Sequence, residues 1–261
     1  YYRAQRSQQL IESFEAIYEI NKLELETLQA GLADNTSTSL DVAQRQAQLF
    51  SQLEQLIGYA DDFIRDTAKL AGLASEIGAA RFACDVSDPS SVAELFTQLD
   101  AATGTPDLVL YNPSYRQRAP FLELDVEEVR KTLMISCYGG FLVGLEAVKR
   151  MTVVGRGAIF FTGASASVKG YKQSAPFAMG KFGLRGLAQS MARELAPQNI
   201  HVAHFIIDGG IEKDDDPRAE MRGNDGLLNP EAIADTYMHI YDQHRTAWTW
   251  EVELRPWVEN F

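Results

Sequence analysis

The stretch Gly183-Leu184-Arg185-Gly186-Leu187-Ala188-Gln189-Ser190-Met191-Ala192-Arg193-Glu194-Leu195-Ala196-Pro197, followed by the apolar run that begins Ile200-His201-Val202, decides the fold. It reads as a long helix that stops at Pro197 and feeds directly into a strand. Working outward from it, residues 58–261 alternate short β-type runs with amphipathic stretches, the pattern of crossover units that build a parallel sheet. Strand candidates fall at 81–84, 108–111, 158–162, 202–207 and 250–254, the last fitting an edge strand. Several are apolar at successive positions, as expected of strands covered by helices on both faces. Helix candidates lie near 67–77, 90–101, 126–151, 175–195 and 230–243. Two of them start with cap chemistry, Asp88-Pro89-Ser90-Ser91 and Asn229-Pro230-Glu231, where a side-chain oxygen and a proline suit a first turn. The expectation is an α/β fold with a doubly wound parallel sheet over 58–261.

Residues 1–57 read differently. Leu10, Phe14, Ile17 and Tyr18 recur at helical spacing, as do Ala43, Ala47, Phe50, Leu53 and Ile57, with a polar, turn-rich break at 31–39 between the two sets. An N-terminal helical hairpin is expected, making two domains: a helical segment over 1–57 and the α/β domain over 58–261.

The 261 residues carry 24 Lys and Arg against 36 Asp and Glu, a net charge of −12. Nucleic acid and anionic membrane would repel such a chain at long range, and neither is expected as a partner. Cys84 and Cys137 sit in apolar runs without C-x-x-C spacing, so reduced, buried thiols in a cytoplasmic protein are expected rather than a disulfide framework or a thiolate zinc site. No apolar stretch reaches the roughly 18 residues that a bilayer span requires. His201 and His204, three apart in a strand candidate, lie on opposite faces, and His239 and His244 are five apart on a helix, so no shared metal site is read from them.

The Gly183–Val202 stretch and the motifs around it resemble the short-chain dehydrogenase/reductase family from about Gly58 to the C-terminus. The resemblance implies a Rossmann-like fold, NADP or NAD as cofactor, oxidoreduction of a small carbonyl or alcohol substrate, and a homo-oligomer paired through the helices near 126–151 and 175–195, with Phe141, Leu142, Leu184 and Leu187 offering apolar faces. Residues 63–70 look like the family's second strand and following helix, which makes Arg65 the position that would meet the 2′-phosphate of NADP; a guanidinium fork suits a phosphate monoester. Cys84-Asp85-Val86-Ser87-Asp88 resembles the stretch where Asp85 and the backbone of Val86 would face adenine, although Asp85 also reads as a helix cap. Asn112 is kept where the family writes Asn-Asn-Ala-Gly, with Pro113 and Ser114 in place of the two small residues.

The departures from the family pattern concern chemistry. Where the family writes Tyr-x-x-x-Lys, this chain has Phe177-Ala178-Met179-Gly180-Lys181. A phenol passes a proton to a substrate oxygen and a phenyl ring does not. Lys181, by resemblance, holds the nicotinamide ribose and would lower the pKa of a tyrosine that is absent. Counting back about 13 residues from Phe177 lands on Ala164, with Ser165 and Ser167 beside it as the remaining candidates for the serine. Ser136 stands where an asparagine would support a proton-relay water, and Tyr171 is the nearby phenol six residues before Phe177. The family's glycine-rich phosphate loop has no counterpart in residues 1–57, where Gly31 is the only glycine. Two functions follow as expectations: an NAD(P)-dependent oxidoreductase with a degenerate active site whose candidate catalytic positions are Lys181, Phe177, Ser165 and Ser136, or a non-catalytic scaffold that acts through its N-terminal helices. Residues 28–57 also resemble, over a short span, the helices of outer-membrane efflux channels of the TolC type.

Overall fold

The computed structural model describes residues 70–213 and 216–259, together with the helical positions Glu26, Thr27, Gln29, Ala30, Val42 and Gln44. The expected helical hairpin, the efflux-helix resemblance beyond those positions, and Arg65 lie outside the described residues. The chain divides into two compact units, Tyr1–Ala83 and Cys84–Phe261. In the first, residues 70–76 are helical, and the helix closes with Ala79 N–H donating to Ala74 O at 2.8 Å. The strand expected at 81–84 does not form. Its residues keep an alternation of exposed and half-buried positions, but a strand needs a ladder partner, and none pairs with it among the described residues.

The second unit begins with α1 (Pro89–Ala102), capped by Asp88, whose side chain accepts from Ser90 N–H. Next comes β1 (Leu108–Tyr111). Helix α2 (Val126–Leu133) starts at Asp125, whose carboxylate accepts from the N–H groups of Glu127 and Glu128. It continues through one wide π-turn (Met134–Tyr138), closed by Gly139 N–H donating to Met134 O, into α3 (Gly139–Val154). Strand β2 (Gly157–Thr162), α4 (Ala175–Leu195) and β3 (Ile200–Ile207) follow. Then come a short α5 (Arg218–Arg222), α6 (Pro230–Tyr241) with its Asn229 cap accepting from Ala232 N–H, and β4 (Glu251–Leu254).

The four strands are parallel and lie in the order β1-β2-β3-β4, with Leu110 opposite Phe160, Phe160 opposite Ala203 and Phe205 opposite Val252. Alternate residues of β2 and β3 feed two cores. On one face Ile159, Phe161, Ile200 and Val202 pack with Phe96 of α1, Leu142, Ala147 and Met151 of α3, and Leu184 and Ala188 of α4. On the other, Ala158, Phe160, Ala203, Phe205 and Ile207 meet Tyr237 and Ile240 of α6. All eight residues of β3 are buried. This is the Rossmann-like α/β architecture, with helices on both faces of a parallel sheet.

Three expectations are revised. Leu142 and Leu184 belong to the core and offer no free face; the exposed apolar residues of α3 and α4 include Phe141, Leu145, Met179 and Phe182. Cys84 and Cys137 are half-buried free thiols, not fully buried ones, and burial raises the pKa of each. Residues 126–154 form one helical run apolar enough to span a bilayer by composition, yet half of its most apolar window is buried inside the protein, as befits a core helix.

Candidate active site

The first turns of α4 place Phe177, Gly180 and Lys181 against the carboxyl end of β2, the edge where ligands of open parallel sheets bind. Gly180 is required by close packing: a Cβ there would lie 2.8 Å from Ser136 Cβ, in the π-turn. Behind it Lys181 is 2% exposed and donates from Nζ to Thr162 O at 2.8 Å. Burial pushes its pKa down to about 8. The Phe177 ring is half-buried between two cations, Lys181 Nζ at 5.9 Å and Arg116 Cζ at 5.1 Å from its centroid. Where a phenol would stand there is thus a hydrocarbon ring faced by positive charge.

Ser136, fully buried, has its hydroxyl committed to the chain after β1. Oγ accepts from Tyr115 N–H and donates to Tyr115 O, both at 3.2 Å. Its one proton is thereby held by protein. Ser165 opens a 3-10 turn after β2 and is half-buried, its carbonyl accepting from the N–H groups of Val168 and Lys169. Ala164 precedes it, without a hydroxyl.

Ser167 leads to the polar group that sequence reasoning missed. Its Oγ accepts from Ala164 N–H at 3.2 Å and lies 3.3 Å from His204 Nε2. On the other side of the ring, His204 Nδ1 is 3.2 Å from Glu251 Oε2, and Arg185 grips both Glu251 oxygens from Nε and Nη2 at 2.6 and 2.8 Å. Desolvation pushes the His204 pKa down to about 4, against the pull of the Glu251 charge. Burial also opposes ionisation of Glu251, but its bonds and charge interaction with Arg185, helped by His204, win and lower its pKa. The neutral imidazole therefore donates Nδ1–H to Glu251 and accepts at Nε2 from the Ser167 hydroxyl. Serine, histidine and carboxylate stand in the order of a nucleophile, base and orienting acid. Ser167 is 0% exposed, however, and Gly163 lies so close that a Cβ would come within 2.3 Å of His204 Nε2. No acyl substrate reaches that hydroxyl, and the chain of bonds props the loop after β2. The signal in the sequence was a histidine in the middle of an eight-residue apolar strand.

The expected cofactor residues do not all converge. Asp85 is not the cap of α1, a role taken by Asp88; its Oδ1 accepts from Ser87 N–H at 2.9 Å and from Ser87 Oγ at 2.7 Å, closing a turn. Val86 packs on the core, with its carbonyl against Gly139. Asn112 is exposed at the end of β1, on a cleft of about 370 Å³ whose other walls include Thr162, Ile207, Ile211, Ile233 and Tyr237. Tyr237 donates or accepts at 2.9 Å with Thr162 Oγ1, and burial pushes its pKa up to about 12, so it stays protonated. Tyr171 is exposed, on the loop before α4. Among the described residues no group of His, Cys, Asp and Glu has the makings of a metal site.

The described residues fit the nicotinamide end of a dinucleotide, with an amide at the rim of an apolar cleft and an ammonium at the carboxyl edge of the sheet.

The family model described as enoyl-(acyl carrier protein) reductase matches residues 17–239, beginning well before Gly58. Among curated proteins, the D-threitol dehydrogenase of Mycolicibacterium smegmatis is 32% identical over 136 residues, 52% of this chain and 52% of that protein. The trans-4-hydroxycyclohexanecarboxylate dehydrogenase of Sinomonas cyclohexanicum is 35% identical over 99 residues, 38% of each chain. The matched region thus spans about half or less of those two relatives. A crystal structure of a short-chain dehydrogenase from Rhodopseudomonas palustris superposes with a TM-score of 0.62 at 37% identity, covering 73% of this chain and 82% of that one. Two further solved chains share the fold at 24% and 22% identity, with TM-scores of 0.59 and 0.62; one is a complex with NADH and succinate, the other with NADP. With the parallel sheet, the lysine at its carboxyl edge and a family match over most of its length, the chain belongs to the short-chain dehydrogenase/reductase family.

Proposed function

We propose that the chain is an NAD(P)-dependent oxidoreductase of a small alcohol or carbonyl compound, working without a phenolic proton donor. The observation that supports this reading is Lys181, an ammonium buried at the carboxyl end of β2 with one carbonyl partner. A pKa moved from 10.5 to about 8 corresponds to roughly 3 kcal/mol of stability given up at neutral pH. A fold kept only as a scaffold has no use for that cost, whereas a functional site does. The relatives named for D-threitol and for a hydroxycyclohexanecarboxylate favour a small alcohol as substrate.

In this reading Lys181 and Asn112 hold the nicotinamide ribose, Asp85 and Val86 face the adenine, and Arg65 meets the 2′-phosphate when NADP is used. Bound, the nicotinamide supplies or accepts a hydride. Phe177 walls the reacting carbon from water, and proton delivery falls to solvent or to Ser165, with the Lys181 charge favouring a developing alkoxide. We place the protein in the cytoplasm as a homo-oligomer, with the exposed Phe141, Leu145 and Phe182 as its contact face. The test is fluorescence titration with NADPH and NADH of the wild type, Lys181→Met and Arg65→Gln, beside turnover of a panel of small alcohols and ketones. Saturable binding is expected, weakened at least tenfold by Lys181→Met, with Arg65→Gln weakening NADPH more than NADH.

Phe177 and Ala164, neither able to move a proton, favour a second reading as a non-catalytic scaffold acting through its N-terminal helices. Absence of both cofactor binding and turnover would sink the first reading and leave this one.

A further inference from the structure

The loop after β1 and the segment running from the end of β2 into α4 are basic in an acidic chain. Residues 112–120 and 163–193 contain no Asp or Glu, yet they hold Arg116, Arg118, Lys169, Lys172, Lys181, Arg185 and Arg193. The loop after β1 and the loop before α4 are tied together by Ala119 N–H donating to Gln173 O at 3.2 Å. Lys169 reaches Asp208 at 3.4 Å and Arg185 is neutralised by Glu251, whereas Arg116, Arg118 and Lys172, all exposed, have no carboxylate within ion-pair distance among the described residues.

Arg116 is the one held in place. Its guanidinium lies over the Phe177 ring at 5.1 Å, and Nη2 donates to Ser174 Oγ at 3.3 Å, on a serine that is 1% exposed. Of the five N–H donors of a guanidinium, that bond uses one. The rest of the fork has no carboxylate partner among the described residues and stands beside the ring that replaces the phenol. A flat, exposed guanidinium with free donors matches a carboxylate through paired bonds, and an organic body attached to that carboxylate would lie on the Phe177 ring.

We propose that Arg116 is the substrate-anchoring residue of this site and that the compound it selects is a small carboxylate carrying the alcohol or ketone to be oxidised or reduced. The identity of the reacting group rests on the oxidoreductase reading; the carboxylate recognition does not.

The experiment is calorimetric titration of the full chain with 4-oxopentanoate and with its methyl ester, for the wild type, Arg116→Gln and Ser174→Ala, alongside the NADPH titration. The acid is expected to bind at least tenfold more tightly than the ester. Arg116→Gln should erase that preference while leaving the ester unchanged, and Ser174→Ala, which frees the guanidinium, should reduce it partially. Equal binding of acid and ester by the wild type, no binding of either, or an unchanged preference in Arg116→Gln overturns the proposal. Because Arg116 is exposed, an unchanged unfolding midpoint in Arg116→Gln shows that a loss is one of recognition. Acid preference without cofactor binding would defeat the oxidoreductase reading alone; cofactor binding without acid preference would defeat this inference alone.

Discussion

Strand β3 buries a histidine on each face, and the two are held in opposite ways. His201, on the α6 side, donates from Nε2 to Thr249 O at 2.8 Å, stacks on Trp248 at 4.6 Å and meets Phe160 edge-on, while its Nδ1 has no hydrogen-bond partner among the described residues. His204, on the α4 side, uses both nitrogens, one on Glu251 and one on Ser167. The first ring serves as an aromatic packing piece with one polar tie. The second is a junction among α4, β4 and the loop that carries Ser165 and Ser167 past the site. The difference shows that burial alone says little about a histidine's role; what matters is how many elements its nitrogens join.

The largest effect that separates the two rings is in pH dependence. In the unfolded chain His204 takes up a proton near the usual 6.5, but in the native protein only near 4. Acid therefore favours the unfolded chain through that window, and stability falls by about 3 kcal/mol as pH drops from 6.5 to 4. Denaturant midpoints at several pH values should show this slope, and it should flatten in His204→Leu; an unchanged slope in that variant would assign the acid sensitivity elsewhere. Next, Glu251→Ala removes the shared acceptor of Arg185 and His204 and should cost about 2 to 3 kcal/mol in chemical denaturation. A loss below about 0.5 kcal/mol, the range of ordinary surface changes, would show the junction to be idle. The smallest effect sharpens the contrast: at pH 7, His204→Leu should cost about 2 kcal/mol, whereas His201→Phe, which keeps the stack on Trp248 and loses the single bond to Thr249 O together with an orphaned nitrogen, should cost about 1 kcal/mol. Equal costs would erase the distinction.

The strands at 108–111, 158–162 and 202–207 were legible because a sheet covered on both faces needs consecutive apolar residues, and Asp88 and Asn229 announced their helices because cap chemistry is local. The run at 81–84 misled because β-type composition does not supply a neighbour to pair with. Phe177 and Lys181 were found because the resemblance sets a Tyr-x-x-x-Lys motif over Phe177-Ala178-Met179-Gly180-Lys181, a pattern local to one helix. The His204–Glu251 contact was not, since the two residues are 47 apart in sequence and become opposite only through the β3–β4 register. Arg116 was likewise out of reach: its place over Phe177 depends on how the loop after β1 folds back toward α4, which no local pattern records.

The single wide turn at Met134–Tyr138 has a consequence for the angular phase of the long helix that contains it. Buried positions recur there every fourth residue or nearly so, at Thr132, Ser136, Gly140, Val143, Ala147 and Met151. A uniform helix of 3.6 residues per turn would let such a stripe wander around the axis, by about 40° for each step of four. One turn that takes up more residues per revolution winds the stripe back, so that Thr132 and Met151 both stay inward although nineteen residues separate them. Deleting a single residue at Cys137 would take out the residue that the wide turn absorbs: Thr132 and Met151 would then stand eighteen residues apart, a whole number of turns at 3.6 residues per turn, so the run would straighten into a regular helix with Leu142 and Ala147 still facing the sheet.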